Sequence, residues 1–297
     1  MKKKLQDFIQ ANGELFEAVQ VSGIYEDSKY FVDTVPAEDR SAIMAKWNNE
    51  KNDDQFDLKA FADKYFRLPE NDASETVIED ANDMRDHISK LWPHLFRSSD
   101  SESLETSTLI SLPHPYVVPG GRFREIYYWD SYFTSLGLAA DGHSDMVLSM
   151  VKNFSYLIET VGHIPNGNRV YYLSRSQPPF FAPMVRLIES LFGKEEVNPF
   201  LPSLEKEYAF WMDETGERGR RSVEITSGLT LNRYWDDYPH PRQESWIEDV
   251  EAAKKSGRDR KQVYRHIRAG AESGWDFTSR WFADGKSLET IETTSVI

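Results

Sequence analysis

Arginine, amide, tryptophan and carboxylate side chains gather in four stretches of this 297-residue chain. Arg122, Trp129 and Asp130 fall in the first, Asn166, Arg175 and Gln177 in the second. Arg242 and Glu244 fall in the third, and Trp275, Asp276, Arg280 and Trp281 in the fourth. Tryptophan faces stack on the C–H surfaces of pyranose rings, while guanidinium, amide and carboxylate groups read hydroxyls by directional hydrogen bonds. Cleaving a glycosidic bond takes two carboxyl groups, one as acid and one as base or nucleophile. Taken singly, each residue also fits a core aromatic or a solvated charge, and Asp276 fits a helix N-cap or a surface ion pair. Together the four stretches make a candidate carbohydrate site.

The elements that must hold these stretches are helical. Val77, Ile78, Met84, Ile88, Leu91, Trp92 and Leu95 recur at three- and four-residue steps, with Pro93 near the end. Val147, Met150, Val151, Phe154, Leu157, Ile158 and Val161 repeat the pattern up to Gly162, a natural stop. Met184, Ile188, Leu191 and Phe192 form another stripe, ended by Gly193, and Leu201, Leu204, Tyr208, Trp211 and Met212 the next. Shorter helical patterns lie at Ile43–Trp47, Leu58–Phe66, Trp129–Leu138 and Trp246–Ala253. Strand-like alternation is scarce, so the fold class reads all-α. The candidate residues sit in long connections, Pro113–Trp129, His163–Pro183, Leu231–Glu244 and Ala269–Trp281. Ordinary helix–helix loops run about 2–8 residues, and longer ones are commonly functional.

Composition narrows the chemistry. Lys+Arg 35 against Asp+Glu 49 leaves a net charge of −14, which repels phosphate backbones and argues against nucleic acid. Cysteine is absent, so disulfides, thiolate metal sites and a cysteine nucleophile are excluded. The seven histidines show no i,i+4 ligand pair, and no glycine-rich phosphate loop occurs; no metal or cofactor is expected. Lys2, Lys3 and Lys4 open the chain, but polar residues follow instead of an apolar run. No stretch reaches the ~18 apolar residues of a membrane span. A soluble protein of a reducing cytoplasm, without membrane partners, is the expectation.

The stretch Pro119-Gly-Gly-Arg-Phe-Arg-Glu-Ile-Tyr-Tyr-Trp-Asp-Ser-Tyr-Phe133 resembles the signature of the trehalase family of inverting glycoside hydrolases. Three more stretches agree with that family in the same chain order. They are Ile164–Pro179, Leu231–Asp236 with Pro241–Trp246, and Glu272–Trp281. The likeness runs from about Tyr25 onward and is greatest to the bacterial cytoplasmic form. It implies an (α/α)₆ toroid that hydrolyses α,α-trehalose, or a related α-glucoside, without a metal. Residues 1–24 would be a helical extension and residues 25–297 the N-terminal part of the catalytic domain. By motif, the resemblance makes Asp276 the general acid. It places Arg122, Trp129, Asp130, Asn166, Arg175, Ser176, Gln177, Arg242, Gln243, Glu244 and Gly274 around the sugar. Gln243 stands where some relatives carry proline or aspartate.

An acid must be protonated at working pH, so Asp276 needs a raised pKa. Trp275, Phe277 and Trp281 are the expected apolar wall, and the arginines are expected to pair with Asp130 and Glu244. The family's base glutamate, its second signature and its glycine-rich lid have no match in residues 1–297. Without a base an inverting enzyme loses about 10²–10⁴-fold in rate. The sequence therefore reads as a shortened trehalase, its toroid incomplete and an apolar face left open. Such a chain would be marginally stable, or would depend on a second chain supplying the missing part. The alternative is a non-catalytic, vestigial carbohydrate-binding protein; another hydrolase of the same toroid fits the four stretches less well.

Overall fold

The structure, a computed structural model, describes residues 13–68, 80–99, 107–215 and 221–282. Aspartates start most of the early helices, their carboxylates accepting the otherwise orphaned first-turn amides. Helix α1 covers residues 13–22. Asp27 caps α2 (Ser28–Asp33), Asp39 caps α3 (Arg40–Glu50), Asp57 caps α4 (Leu58–Tyr65) and Asp83 caps α5 (Met84–Leu95). Two short antiparallel pairs staple this region. Strand β1 (Val35–Pro36) pairs with β2 (Phe66–Arg67), and β3 (Phe96–Arg97) with β4 (Tyr116–Val117). Then come α6 (Asp130–Ala140), α7 (Ser144–Val161), α8 (Phe181–Phe192) and α9 (Leu201–Trp211). A hairpin of β5 (Ser222–Thr226) and β6 (Leu229–Asn232) follows, then α10 (Trp246–Ser256) and α11 (Arg260–Glu272).

The fold is all-α, and successive helices lie against each other: α6 on α7, α7 on α8 and α9, α10 on α11. Helix α7 carries the stripe that its sequence announces. Val147, Met150, Val151, Phe154, Leu157 and Ile158 are all buried, and Gly162 ends the helix at φ 96°. Each such side chain contributes about 1.5–3 kcal/mol by leaving water. With Met184, Val185 and Ile188 of α8 they form the main core. A second core joins Leu15, Phe16 and Val19 of α1 to Phe31, Ile43, Trp47, Phe61 and Tyr65. The two cores meet at adjacent residues: Tyr127 packs into the second and Tyr128 into the first. Trp129 and Asp130, next along the chain, therefore emerge at a seam held from both sides.

Several expectations change. In α5, Val77 and Ile78 lie outside the described residues, while Met84 and Ile88 are exposed and only Trp92 is buried. Helix α9 buries Ser203 and Glu207 instead of its apolar stripe, because Ser203 pairs with Ser155 of α7 at 2.7 Å and Glu207 meets the Tyr128 hydroxyl. Leu201 and Tyr208 stay exposed. Leu204, Tyr208, Trp211 and Met212 line an open groove of about 670 Å³, the apolar face left uncovered. The long connection expected at Ala269–Trp281 is helical up to Glu272, and β6 takes the first residues of the connection expected at Leu231–Glu244.

Candidate active site

Backbone pairing brings the first two stretches together. Tyr128 N donates to Asn166 O at 3.1 Å, and Asn166 N to Arg175 O at 3.0 Å. Asn168, fully buried, accepts from Ile126 N at 2.9 Å and donates to Ile110 O at 2.8 Å. The result is a cleft of about 380 Å³. Arg122, Trp129, Asp130, Asn166, Arg175, Gln177, Arg242, Glu244, Gly274 and Asp276 all line it. Ser176 and Gln243 do not. Ser176 Oγ donates to Ile164 O at 2.6 Å behind the wall, and Gln243 Oε1 accepts from Arg268 at 3.3 Å.

Polar partners set the orientation of the lining groups. Arg175 Nε donates to Asn166 Oδ1 at 2.8 Å, and its Nη2 to Glu244 Oε1 at 2.7 Å. Arg175 Nη1 and Glu244 Oε2 are buried without a partner among the described residues, so each retains hydrogen-bonding capacity. Arg242 pairs with buried Asp249 at 2.6 Å, and Arg122 with Asp27 at 2.5 Å. Among the described residues no arginine pairs with Asp130, contrary to expectation. Asp130 opens helix α6 and is held by the Gln177 amide, whose oxygen accepts from Trp129 N at 3.1 Å.

The carboxyls of the cleft are driven apart in acidity. Burial acts to raise Glu244, but the guanidinium groups of Arg175, Arg242 and Arg268 prevail and hold it at about 2. Asp276 is raised, chiefly by burial and also by the Glu244 charge, against the pull of Arg242 and Arg175. It is nevertheless open to solvent at the cleft mouth. It caps no helix and has no ion-pair partner among the described residues, and its backbone sits at φ 34°. Asp130 is raised too, first by burial and then by repulsion from Asp276. An electrostatically separated set of carboxyls is the arrangement from which an acid and an ionised partner can work at one pH.

The apolar wall is not the one expected. Trp275 is half exposed with Arg280 stacked on it at 3.8 Å, and neither Phe277 nor Trp281 lines the cleft. The wall comes instead from Phe123, Tyr127, Trp129 and Tyr172. Phe123, Tyr127 and Tyr172 lie inside the quoted stretches, so their aromatic character was available as a signal. Lys29 was not foreseeable, because α2 brings it in from outside those stretches. It is fully buried between Asp33 and Glu125, and Glu125 also takes the Tyr127 hydroxyl, itself 2.8 Å from that of Tyr172.

A sequence profile of the Trehalase family matches residues 23–297. The chain belongs to the trehalase family. Among trehalase relatives, the periplasmic trehalase of Xanthomonas oryzae pv. oryzae is 49% identical over 294 residues, 97% of this chain and 51% of that protein. The periplasmic trehalase of Citrobacter koseri is 48% identical over 291 residues, 96% of this chain and again 51% of the relative. The chain thus spans about half the length of these trehalases. Of solved trehalase structures, neutral trehalase Nth1 from Saccharomyces cerevisiae matches with TM-score 0.45 and 32% identity, over 56% of this chain and 34% of that one. The periplasmic names overturn the expected likeness to a cytoplasmic trehalase and the cytoplasmic location. Lack of cysteine was a poor guide, since a chain without thiols meets no redox constraint in either compartment.

Proposed function

We propose that this chain carries the sugar-recognition half of an α,α-trehalase, which splits trehalose with water into two glucose molecules with inversion. The observation that carries the reading is the convergence of ten motif residues from four separate stretches on one cleft. Asp276 is the general acid: its proton passes to the glycosidic oxygen as the C1–O bond breaks. Burial and the Glu244 charge act on Asp276 in the direction that favours the protonated acid, while Glu244, ionised by Arg175, accepts from sugar hydroxyls. Residues 25–297 form the N-terminal part of the catalytic domain, with residues 1–24 as an extension. The relatives' names favour the periplasm as the site of action.

Inversion also needs a base on the opposite face, about 6.5–9.5 Å from the acid, to deprotonate the attacking water. Among the described residues of the cleft, Glu244 is engaged by Arg175 and Asp130 by Gln177, so the base is supplied from elsewhere, such as a second chain completing the barrel. The same engagement favours a second reading, a carbohydrate-binding protein without turnover. Glucose release from trehalose, run beside an Asp276→Asn variant and a calorimetric titration, separates the two. Release that vanishes in the variant means that a base lies in this chain. Binding without release leaves the recognition half alone, and folded protein that binds no trehalose defeats both readings.

Gly274 offers a test of the cleft geometry. Its φ of 67° is left-handed, and a Cβ there would lie 2.7 Å from the Trp129 indole. Gly274→Ala adds about 1–2 kcal/mol of backbone strain and pushes the Trp129 wall off the Asp276 loop. Trehalose affinity should fall by about tenfold or more, equivalent to ~1.4 kcal/mol of binding free energy. Unchanged affinity in the titration would remove Trp129 and Gly274 from the site.

A further inference from the structure

We propose that Glu272 is the positioning residue that sets the width of the sugar cleft, clamping the Arg175–Gln177 wall to the loop that carries Gly274 and Asp276. The inference rests on the trehalose-site reading above. Glu272 is the last residue of α11 and fully buried. Its carboxylate collects donors from three separate parts of the chain. Oε1 accepts from Ser176 N at 2.6 Å, Oε2 from Trp235 N at 2.6 Å, and Arg221 Nη1 reaches both oxygens at 2.8 and 2.7 Å. Arg221 is itself fixed, donating to Trp235 O at 2.8 Å and lying 4.0 Å over the Phe210 ring. Charge-assisted bonds of this kind are roughly twice as strong as neutral ones, and a buried site sharpens them further.

Both ends of the clamp lead straight to the chemistry. Ser176 lies between Arg175 and Gln177, whose side chains enter the cleft. That explains why Ser176 itself turns away: its amide is the attachment point. On the other side the chain is wound tightly from Glu272 to Asp276. Ser273 N bonds Ala269 O at 3.1 Å, Gly274 N bonds Ala271 O at 3.3 Å, and Trp275 N bonds Ser273 Oγ at 3.1 Å. A shift of the Glu272 carboxylate therefore moves Gly274 and Asp276 relative to Arg175 and Gln177, with little slack to absorb it.

Glu272→Gln keeps the shape but replaces one oxygen with an NH₂ group. That group must face Ser176 N or Trp235 N, and both are donors. Trehalose affinity should fall by about tenfold, the worth of one charge-assisted hydrogen bond. The acid limb of the affinity–pH profile should shift as Asp276 moves relative to Arg175 and Glu244, whose charges act on its carboxyl, a change that loss of stability alone would not produce. Glu272→Asp, which retains the charge at shorter reach, should give a smaller loss of affinity and serves where Gln fails to fold. Folded Glu272→Gln protein with wild-type affinity and pH profile overturns the clamp while the sugar site stands. If wild-type protein binds no trehalose, the sugar reading fails, and hydrogen exchange still judges the clamp. The Ser176 and Trp235 amides should be protected in the wild type and released in Glu272→Gln, and equal protection overturns it.

Discussion

Arg175→Met is expected to destabilise the fold by about 3–5 kcal/mol and to abolish trehalose binding, because it takes from the buried Glu244 carboxylate its directly bonded partner and leaves only the more distant charges of Arg242 and Arg268. Arg175 is 2% exposed and holds Glu244, Asn166 and the face of Tyr172, 4.9 Å from its guanidinium. The linked titration gives the combined worth of Arg175, Arg242 and Arg268 at Glu244. Glu244 stands at about 2 in the fold against an ordinary 4.5, a depression worth ~3 kcal/mol. The sign follows from proton binding: the unfolded chain takes up the proton first, so this stability is present above pH ~4.5 and is lost as pH falls toward ~2. Denaturant melts of Arg175→Met should therefore show a lowered midpoint at neutral pH. The double variant Arg175→Met with Glu244→Leu should recover much of the stability, since it removes both charges, yet still bind no sugar. A double variant no more stable than the single would show that Arg175 acts by packing and not by pairing.

The second large effect belongs to Glu207, away from the cleft. It is buried on α9, meets the Tyr128 hydroxyl and has no cationic partner among the described residues. Tyr128 already accepts from Phe181 N at 2.9 Å and has one proton to give, so it offsets only part of the desolvation. Burial pushes Glu207 up to about 7 from an ordinary 4.5. Here the folded state binds the proton more tightly. The contribution is complete below pH ~4.5 and is lost as pH rises through ~7, a swing of roughly 3 kcal/mol. Calorimetric melting temperatures should fall between about pH 5 and pH 8 in the wild type. Glu207→Gln, permanently neutral, should flatten that fall and be the more stable protein at the alkaline end. The same slope in both proteins would show that Glu207 is hydrated through the adjoining groove.

Legibility in the sequence followed the physics of each element. Helices α7 and α8 were readable because each buries one continuous apolar stripe and stops at a glycine, Gly162 or Gly193. Helix α11 was not, because its buried face carries Arg268 and Glu272 in the same stripe as Val263 and Ile267. Two charged residues at apolar positions erase the period, and only partners distant in sequence, Asp236 and Arg221, make their burial tolerable. The stripe on α9 misled for the converse reason: its apolar side faces the open groove and its polar side packs.

In the site, residue types and order within four stretches determined which side chains belong together, since sugar recognition needs that restricted set of groups. Tertiary structure decided which of them face inward. In Arg175-Ser176-Gln177 and in Arg242-Gln243-Glu244 the outer two residues enter the cleft and the middle one turns to the support behind it. Neighbouring residues of one motif are indistinguishable by type alone, and their directions depend on what the backbone pairs with. Charge pairing was likewise a matter of three dimensions. Arg242 is committed to Asp249, a partner on the next helix, and Asp276 acquires its raised carboxyl from partial desolvation at the cleft and from the charge of Glu244, which the sequence does not place beside it. The sequence determined the chemical vocabulary and the helical scaffold, both set by local composition and period. The folded chain alone decided the orientation, pairing and acidity, because those depend on contacts between different elements, such as Arg175 with Glu244 and Ser176 with Glu272.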